Sequence, residues 1–235
     1  MGDLNKNQKC DFDELLLELV RVQEIQNFCE AQGIQSLVHF TRAENLESIF
    51  KHGLAPREQV ENNLMHYFPI FNDEQRLDGV RNSVCLTISF PNYKMFYKYR
   101  KKCQGDWVVL ILYSTILYEL ECVFCFENAA SHNVKDIPLS ERRTSEALKT
   151  LFQDLPGASR NDLKLPPTFT TNPQAEVLVL ERIPTSYLSE IHFIDKPTYE
   201  IWLKKVPEIA QFDVNYDSPF FAARHDWFSW SKYYL

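Results

Sequence analysis

The feature that most constrains this chain is Trp107–Tyr113, WVVLILY, an unbroken run of apolar residues. Extended to residue 118 the run is interrupted by Ser114 and Thr115 and is too short to cross a bilayer, so it reads as a central strand. Residues 122–126, CVFCF, read the same way. Strands of this kind need a sizeable core around them, and 235 residues that are 45% hydrophobic and 14% aromatic can build one. The same composition excludes a disordered chain, while 12 Pro against only 6 Gly exclude collagen-like and Gly-rich low-complexity readings. No segment recurs at a fixed period, which sets repeat solenoids aside.

Around these strands the chain alternates unevenly. Residues 11–32 carry Leu15, Leu16, Leu19, Val20, Ile25 and Phe28 at helical spacing and stop at Gly33. Residues 36–40, SLVHF, form a short strand, and Thr41 is placed to cap a helix over 43–52 that closes on Gly53. Residues 55–82 show no clear period, and so long a loop in a compact domain is usually functional or mobile. A strand over 84–90, a Pro91-Asn92 turn and a helix over 93–103 follow. Beyond the central strands come a charged helix over 139–152, a polar Pro-rich loop over 154–173, strands over 175–181 and 190–195, and a helix over 198–205. Strands outnumber helices and are poorly interleaved with them, so the expected fold class is α+β around a strongly bent sheet. One domain spans 1–235: an N-terminal helix (1–33), a core (37–195) and a C-terminal packing segment (196–235).

With 32 acidic against 25 basic residues the formal charge is −7. Such a chain does not coat polyanions generally, so contact with nucleic acid has to come from a local basic patch. Tyr93–Lys102 is the candidate: Lys94, Lys98, Arg100, Lys101 and Lys102, no acid, and Tyr93, Phe96, Tyr97 and Tyr99 among them. Positive charge can track phosphates while rings stack on bases. Equally, the rings can be the core face of an amphipathic helix whose lysines lie in solvent. Residues 1–9 hold no apolar signal segment, and Lys6 stands where a myristoylation signal needs Ser or Thr. Six Cys without an export signal read as reduced thiols, so the expected compartment is the cytoplasm, with no membrane contact. Cys122 and Cys125 face opposite ways along a strand, and no second Cys or His pair completes a metal site.

Phosphate loops, dinucleotide fingerprints and hydrolase elbows are absent. Three features remain. His39-Phe40-Thr41 ends a strand and leads into Asn45-Leu46 and Gly53-Leu54. Arg76-Leu77-Asp78-Gly79 precedes Ser89-Phe90-Pro91-Asn92-Tyr93. Gln174-Ala175-Glu176 opens the strand Val177-Leu178-Val179. Taken singly, His39 reads as a satisfied core histidine and Arg76 as a surface partner of Asp73 or Asp78. Glu176 is harder to dismiss, because a carboxylate at the mouth of an apolar strand is desolvated at a cost unless something uses it.

Together, the three features resemble the ADP-ribosyltransferase fold, with its bent or split β-sheet. H-F-T-x-x-x-N-L-x-x-I-x-x-x-G-L, S-F-P-N-Y-x-M-F-Y and Q-A-E-V-L-V resemble more closely the DarT family, over residues 37–194. Members of that family are toxins that transfer ADP-ribose from NAD to nucleobases, usually of single-stranded DNA. The resemblance implies Glu176 as the catalytic glutamate and Arg76 as the essential arginine, with Arg81 its rival. It implies His39, Thr41, Asn45, Leu46 and Arg76 around NAD, the donor, with no metal. Gln174 would present the acceptor from the loop 154–173, joined by Tyr93, Lys94, Lys98, Lys101 and Lys102. Single-stranded DNA is the first expected acceptor and RNA the second, ahead of protein side chains; a silent fold that only binds a partner is the reading from a different class. An antitoxin partner is implied as well. Where family members often carry a Pro-Arg-Ser turn, this chain has Pro91-Asn92-Tyr93.

Overall fold

The computed structural model describes residues 3–62 and 79–231. Its strands are β1 (Ser36–Arg42), β2 (Val84–Ile88), β3 (Trp107–Tyr113), β4 (Cys122–Cys125), β5 (Glu176–Val179), β6 (Leu188–Phe193) and β7 (Asp213–Asn215). The helices are α1 (Asp3–Gln32), α2 (Leu46–His52), α3 (Arg57–Asn62), α4 (Tyr93–Lys102), α5 (Ile116–Glu119), α6 (His132–Lys135), α7 (Ser145–Thr150), α8 (Lys196–Lys205) and α9 (Trp227–Ser231). Among the described residues the strands form one open sheet in the order β4-β5-β2-β1-β3-β6-β7. Every neighbouring pair is antiparallel except β6 and β7.

The apolar run of β3 explains the layering. Val108, Leu110 and Leu112 enter a large core with Leu37, Leu86 and Val177, whereas Trp107, Val109 and Ile111 enter a second core with Val38, Phe96 and Phe221. A strand covered on both faces needs apolar residues at every position rather than at alternate ones. β1 follows the same alternation, and Phe40 stacks on Phe96 at 4.6 Å between ring centroids. Cys122 and Cys125 are buried in different cores, so the two thiols do not share a site.

Several local expectations change. The helix expected over 43–52 starts with a 3₁₀ turn, Ala43–Asn45, before α2. Thr41 does not cap it; its hydroxyl accepts from Asn45 Nδ2 at 3.0 Å instead. The strand expected over 84–90 stops at Ile88, because Ser89 takes a φ of +60° and turns the chain out of the sheet. The helix expected over 139–152 begins only at Ser145, where the Thr144 hydroxyl accepts from the Ala147 N–H and resets the start. α3 forms within 55–82, a stretch without legible period, and β7 lies in a segment read only as packing. Gly53 is required: at φ +75° a Cβ there would sit 2.4 Å from the Ile183 carbonyl oxygen. That close approach lets Leu54 and Ile183 exchange backbone hydrogen bonds of 2.9 Å.

Candidate active site

The site is built where the sheet loosens. β1 pairs with β3 at every residue from Ser36 to Arg42, but with β2 only through Leu37–Ile88 and Val38–Thr87. From His39 onward the β1–β2 ladder is missing, and the His39 ring takes its place, with Nδ1 2.9 Å from the Cys85 carbonyl oxygen. A carbonyl only accepts, so Nδ1 carries the proton and donates. Burial pushes the His39 pKa below the usual histidine value, while the bond to Cys85 pulls the other way. The ring is therefore neutral near pH 7, and its Nε2 offers a lone pair. Thr41, buried two residues on, is tied to Asn45, whereas Leu46 lies wholly inside the large core.

Glu176 opens β5, two strands from β1 across β2, and pairs with Cys125 of β4. Two strand spacings separate β5 from β1 by about 10 Å. The side chain is only 6% exposed. Its Oε2 accepts from the Ala129 N–H at 2.8 Å and its Oε1 from Asn128 Nδ2 at 3.3 Å. Asn128 is itself fixed, because its Oδ1 accepts from the Ala130 N–H at 3.0 Å. The turn after β4 thus cradles the carboxylate, and Asn128 is not among the residues singled out from the sequence. The signal that could have found it is an Asn followed by two small residues at the exit of an apolar strand, a frequent self-bonding turn.

The loop 154–173 is pinned rather than loose. Arg160 donates to the carbonyls of Pro166, Pro167 and Phe169 and to the Thr171 hydroxyl. Arg224, fully buried, donates to the carbonyls of Thr170 at 2.8 Å and Thr171 at 3.0 Å and pairs with Asp226 through both carboxylate oxygens. Asn172 then accepts from the Gln174 N–H at 2.9 Å, which sets Gln174 half-buried two residues before Glu176. Beside this loop, Phe126, Glu127, Leu155, Pro156, Asn172 and Trp230 border a cleft of about 320 Å³.

The first turn of helix α4 touches Trp230, one of the residues that border this cleft. Asn92 caps it, its Oδ1 accepting from the Met95 N–H at 3.2 Å, and Lys94 Nζ donates to the Trp230 carbonyl at 3.1 Å. Lys98, Lys101 and Lys102 are exposed, as is Tyr97, over whose ring Lys101 sits at 4.8 Å. Spacings of four and seven from Lys94 put Lys98 and Lys101 on one helix face leading away from Trp230. Tyr93, expected against the acceptor, is instead buried, and burial beside Asp226 pushes its pKa up to about 12. Its hydroxyl and Asn92 Nδ2 have no hydrogen-bond partner among the described residues. Arg100 turns inward, donating to the Phe221 carbonyl and lying over Phe96. Arg76 falls outside the described residues. Its rival Arg81 is on the surface, paired with Glu61. Among the described residues no cluster of His, Cys, Asp or Glu could hold a metal ion.

The arrangement is similar to known proteins. Thermosipho africanus DarTG in complex with ADP-ribose superposes with a TM-score of 0.56 at 16% identity, over 80% of this chain and 51% of that one. The chain thus spans about half the length of that protein. Thermus sp. 2.9 DarT in complex with NAD+ matches with a TM-score of 0.51 at 17% identity, over 80% of this chain and 97% of that one. Thermus sp. 2.9 DarT in complex with ADP-ribosylated ssDNA matches with a TM-score of 0.53 at 16% identity, over 80% and 96%. At these identities the likeness establishes the fold. No curated protein matches by sequence. A family model described as "ssDNA thymidine ADP-ribosyltransferase, DarT" matches residues 38–222, from β1 through β5 to the segment before Arg224, and the chain belongs to the DarT family.

Proposed function

We propose that this protein transfers ADP-ribose from NAD to a thymidine base of single-stranded DNA, with Glu176 as the catalytic carboxylate. One observation carries the reading: in a chain of the DarT family, a buried carboxylate opens β5 with both oxygens held by residues 128–129. Breaking the nicotinamide–ribose bond develops positive charge on the ribose, as in glycoside hydrolysis. A carboxylate already fixed in a water-poor site stabilises that charge without reorganising. Glu176 holds the ribose 2′-hydroxyl and takes the proton of the attacking base. A base nitrogen bonds to the ribose carbon, and nicotinamide leaves with the electron pair of the broken bond.

The other residues take supporting roles in this reading. His39 accepts a hydrogen bond from NAD through Nε2, and Thr41 with Asn45 shapes the same end of the pocket. Arg76 clamps the pyrophosphate, whose oxygens match a guanidinium in a bidentate way. Gln174 presents the base, and the lysine face of α4 guides the strand toward the cleft at Trp230. The whole chain acts as one catalytic domain in the cytoplasm, restrained by an antitoxin; no described helix is long and apolar enough to cross a membrane.

The test incubates the protein with labelled NAD and, separately, single-stranded DNA, duplex DNA, RNA and a protein lysate. Label on single-stranded DNA that disappears with Glu176→Ala, in a variant whose melting is unchanged, is the expected result. Label on RNA or protein alone would overturn the acceptor, and full activity of Glu176→Ala would overturn the mechanism.

A further inference from the structure

We propose that the N-terminal half of α1 is a docking surface for a basic amphipathic helix of a partner protein. Five of the thirteen exposed large hydrophobic side chains among the described residues fall in one short stretch: Leu15, Leu16, Leu17, Leu19 and Val20, each 48–72% exposed. Concentrated exposed apolar side chains on a soluble chain mark an interaction site, whereas scattered ones do not.

Among the described residues, the packing that anchors the rest of the helix does not reach this stretch. From Arg21 onward α1 is anchored: Arg21 donates to the Arg143 carbonyl, Glu24 accepts from the Ser145 hydroxyl at 2.7 Å, and Ile25 and Cys29 enter the large core. At 3.6 residues per turn, Leu15, Leu16, Leu19 and Val20 lie on average roughly 150° around the axis from Ile25, Phe28 and Cys29, whereas Leu17 falls near the side of Phe28. Extending the same packing toward the N-terminus would therefore cover the wrong side. The part before Arg21 is roughly 27 Å long at 1.5 Å per residue, enough for a helix to lie along it. All of α1 also precedes residues 38–222, the span that the family model matches.

Charge selects the occupant. By sequence, residues 3–20 hold Asp3, Asp11, Asp13, Glu14 and Glu18 against Lys6 and Lys9, a net −3 within a chain of net −7. A second copy would lay acid against acid, which is unfavourable along a helix pair. A helix with leucines on one face and lysines or arginines beside them matches both the exposed leucines and the acidic sequence that carries them.

The probe is a helical peptide of leucine and lysine only, titrated against the full chain by fluorescence anisotropy, with a leucine–glutamate peptide of the same pattern as control. Binding of the lysine peptide alone, weakened by salt, is expected. Leu15→Gln with Leu19→Gln, exposed changes that should leave melting unaltered, should weaken binding about tenfold or more. Equal binding of both peptides, no binding, or unchanged binding by the double variant would overturn the proposal. So would sedimentation of the chain as a dimer that the double variant dissociates, or flotation with phosphatidylcholine–phosphatidylglycerol vesicles that it abolishes.

Discussion

Removing Arg224 should destabilise the protein more than removing any exposed charge. Its side chain and that of Asp226 are 2% and 1% exposed, and they meet through two hydrogen bonds of 2.6 Å. Arg224→Met would leave the carboxylate of Asp226 buried with Trp230 Nε1, at 2.7 Å, as its remaining side-chain donor. The carbonyls of Thr170 and Thr171 would also lose the donors that hold them. Breaking a buried pair by deleting one partner costs about 3–5 kcal/mol. In a domain of this size each kcal/mol lowers Tm by about 2–4 °C, so a fall of roughly 6–20 °C is expected. Arg224→Met with Asp226→Leu leaves no orphaned charge, so its loss should be smaller than the two single losses added, by about 2 kcal/mol. Thermal and urea melts of the four proteins measure this directly. A single variant within about 1 kcal/mol of the parent, or strictly additive losses, would refute the reasoning. The pair has a pH signature as well. Burial pushes the Asp226 pKa up, but the hydrogen bonds and charge of Arg224 outweigh it and hold the group below the usual aspartate range. A depressed native pKa stabilises above the unfolded value and is lost as pH falls through the native one. The parent should therefore lose this share of stability in acid, and the Arg224 variant should have none of it left to lose.

Other perturbations separate the parts of the site. Asn128→Ala should lower kcat about 10- to 100-fold with little change in KM for NAD, since it frees Glu176 rather than removing it; an unchanged kcat would show that the Ala129 N–H suffices. Lys98, Lys101 and Lys102 all changed to Ala should weaken single-stranded DNA binding and flatten its log–log salt slope by about 2, while NAD hydrolysis without acceptor persists; equal loss of both would assign α4 to NAD or to stability. Because burial depresses the His39 pKa, the unfolded chain binds more protons, and stability should fall as pH drops from about 6.5. His39→Leu should show a shallower acid loss over that range, and an identical profile would remove His39 as the cause.

What the sequence disclosed follows from how local each determinant is. The apolar run of β3 requires cover on both faces, and α4 follows from the Asn92 cap and a helical pattern, so both are legible residue by residue. The burial of Glu176 is legible because a carboxylate opening an apolar strand is locally anomalous. Its cradle is not, since Asn128 lies 48 residues away and meets it only through the β4–β5 pairing. Tyr93 misleads for the same reason: a tyrosine in a basic helix looks ready to stack, yet tertiary packing buries its ring. β7 has three residues and no alternation to detect, and its register comes wholly from β6.

The pinned loop bears on how the proposed reaction achieves its specificity. A long loop without secondary structure is often mobile, and a mobile loop would have to order itself each time an acceptor arrives. Here Arg160 takes the carbonyls of Pro166, Pro167 and Phe169 and Arg224 those of Thr170 and Thr171, so two buried or half-buried guanidinium groups hold five of the loop's carbonyls. Asn172 then transfers that order to Gln174, two residues from Glu176. The ordering entropy, about 1–2 kcal/mol per residue, is thus met on folding rather than on binding. A preformed acceptor edge favours discrimination by fit, because a base that does not match cannot be accommodated by rearrangement. The consequence is measurable: Arg160→Ala, which loosens the loop far from the reacting atoms, should raise modification of a poor acceptor relative to a good one. A uniform loss on both would mean that the clamp serves stability alone.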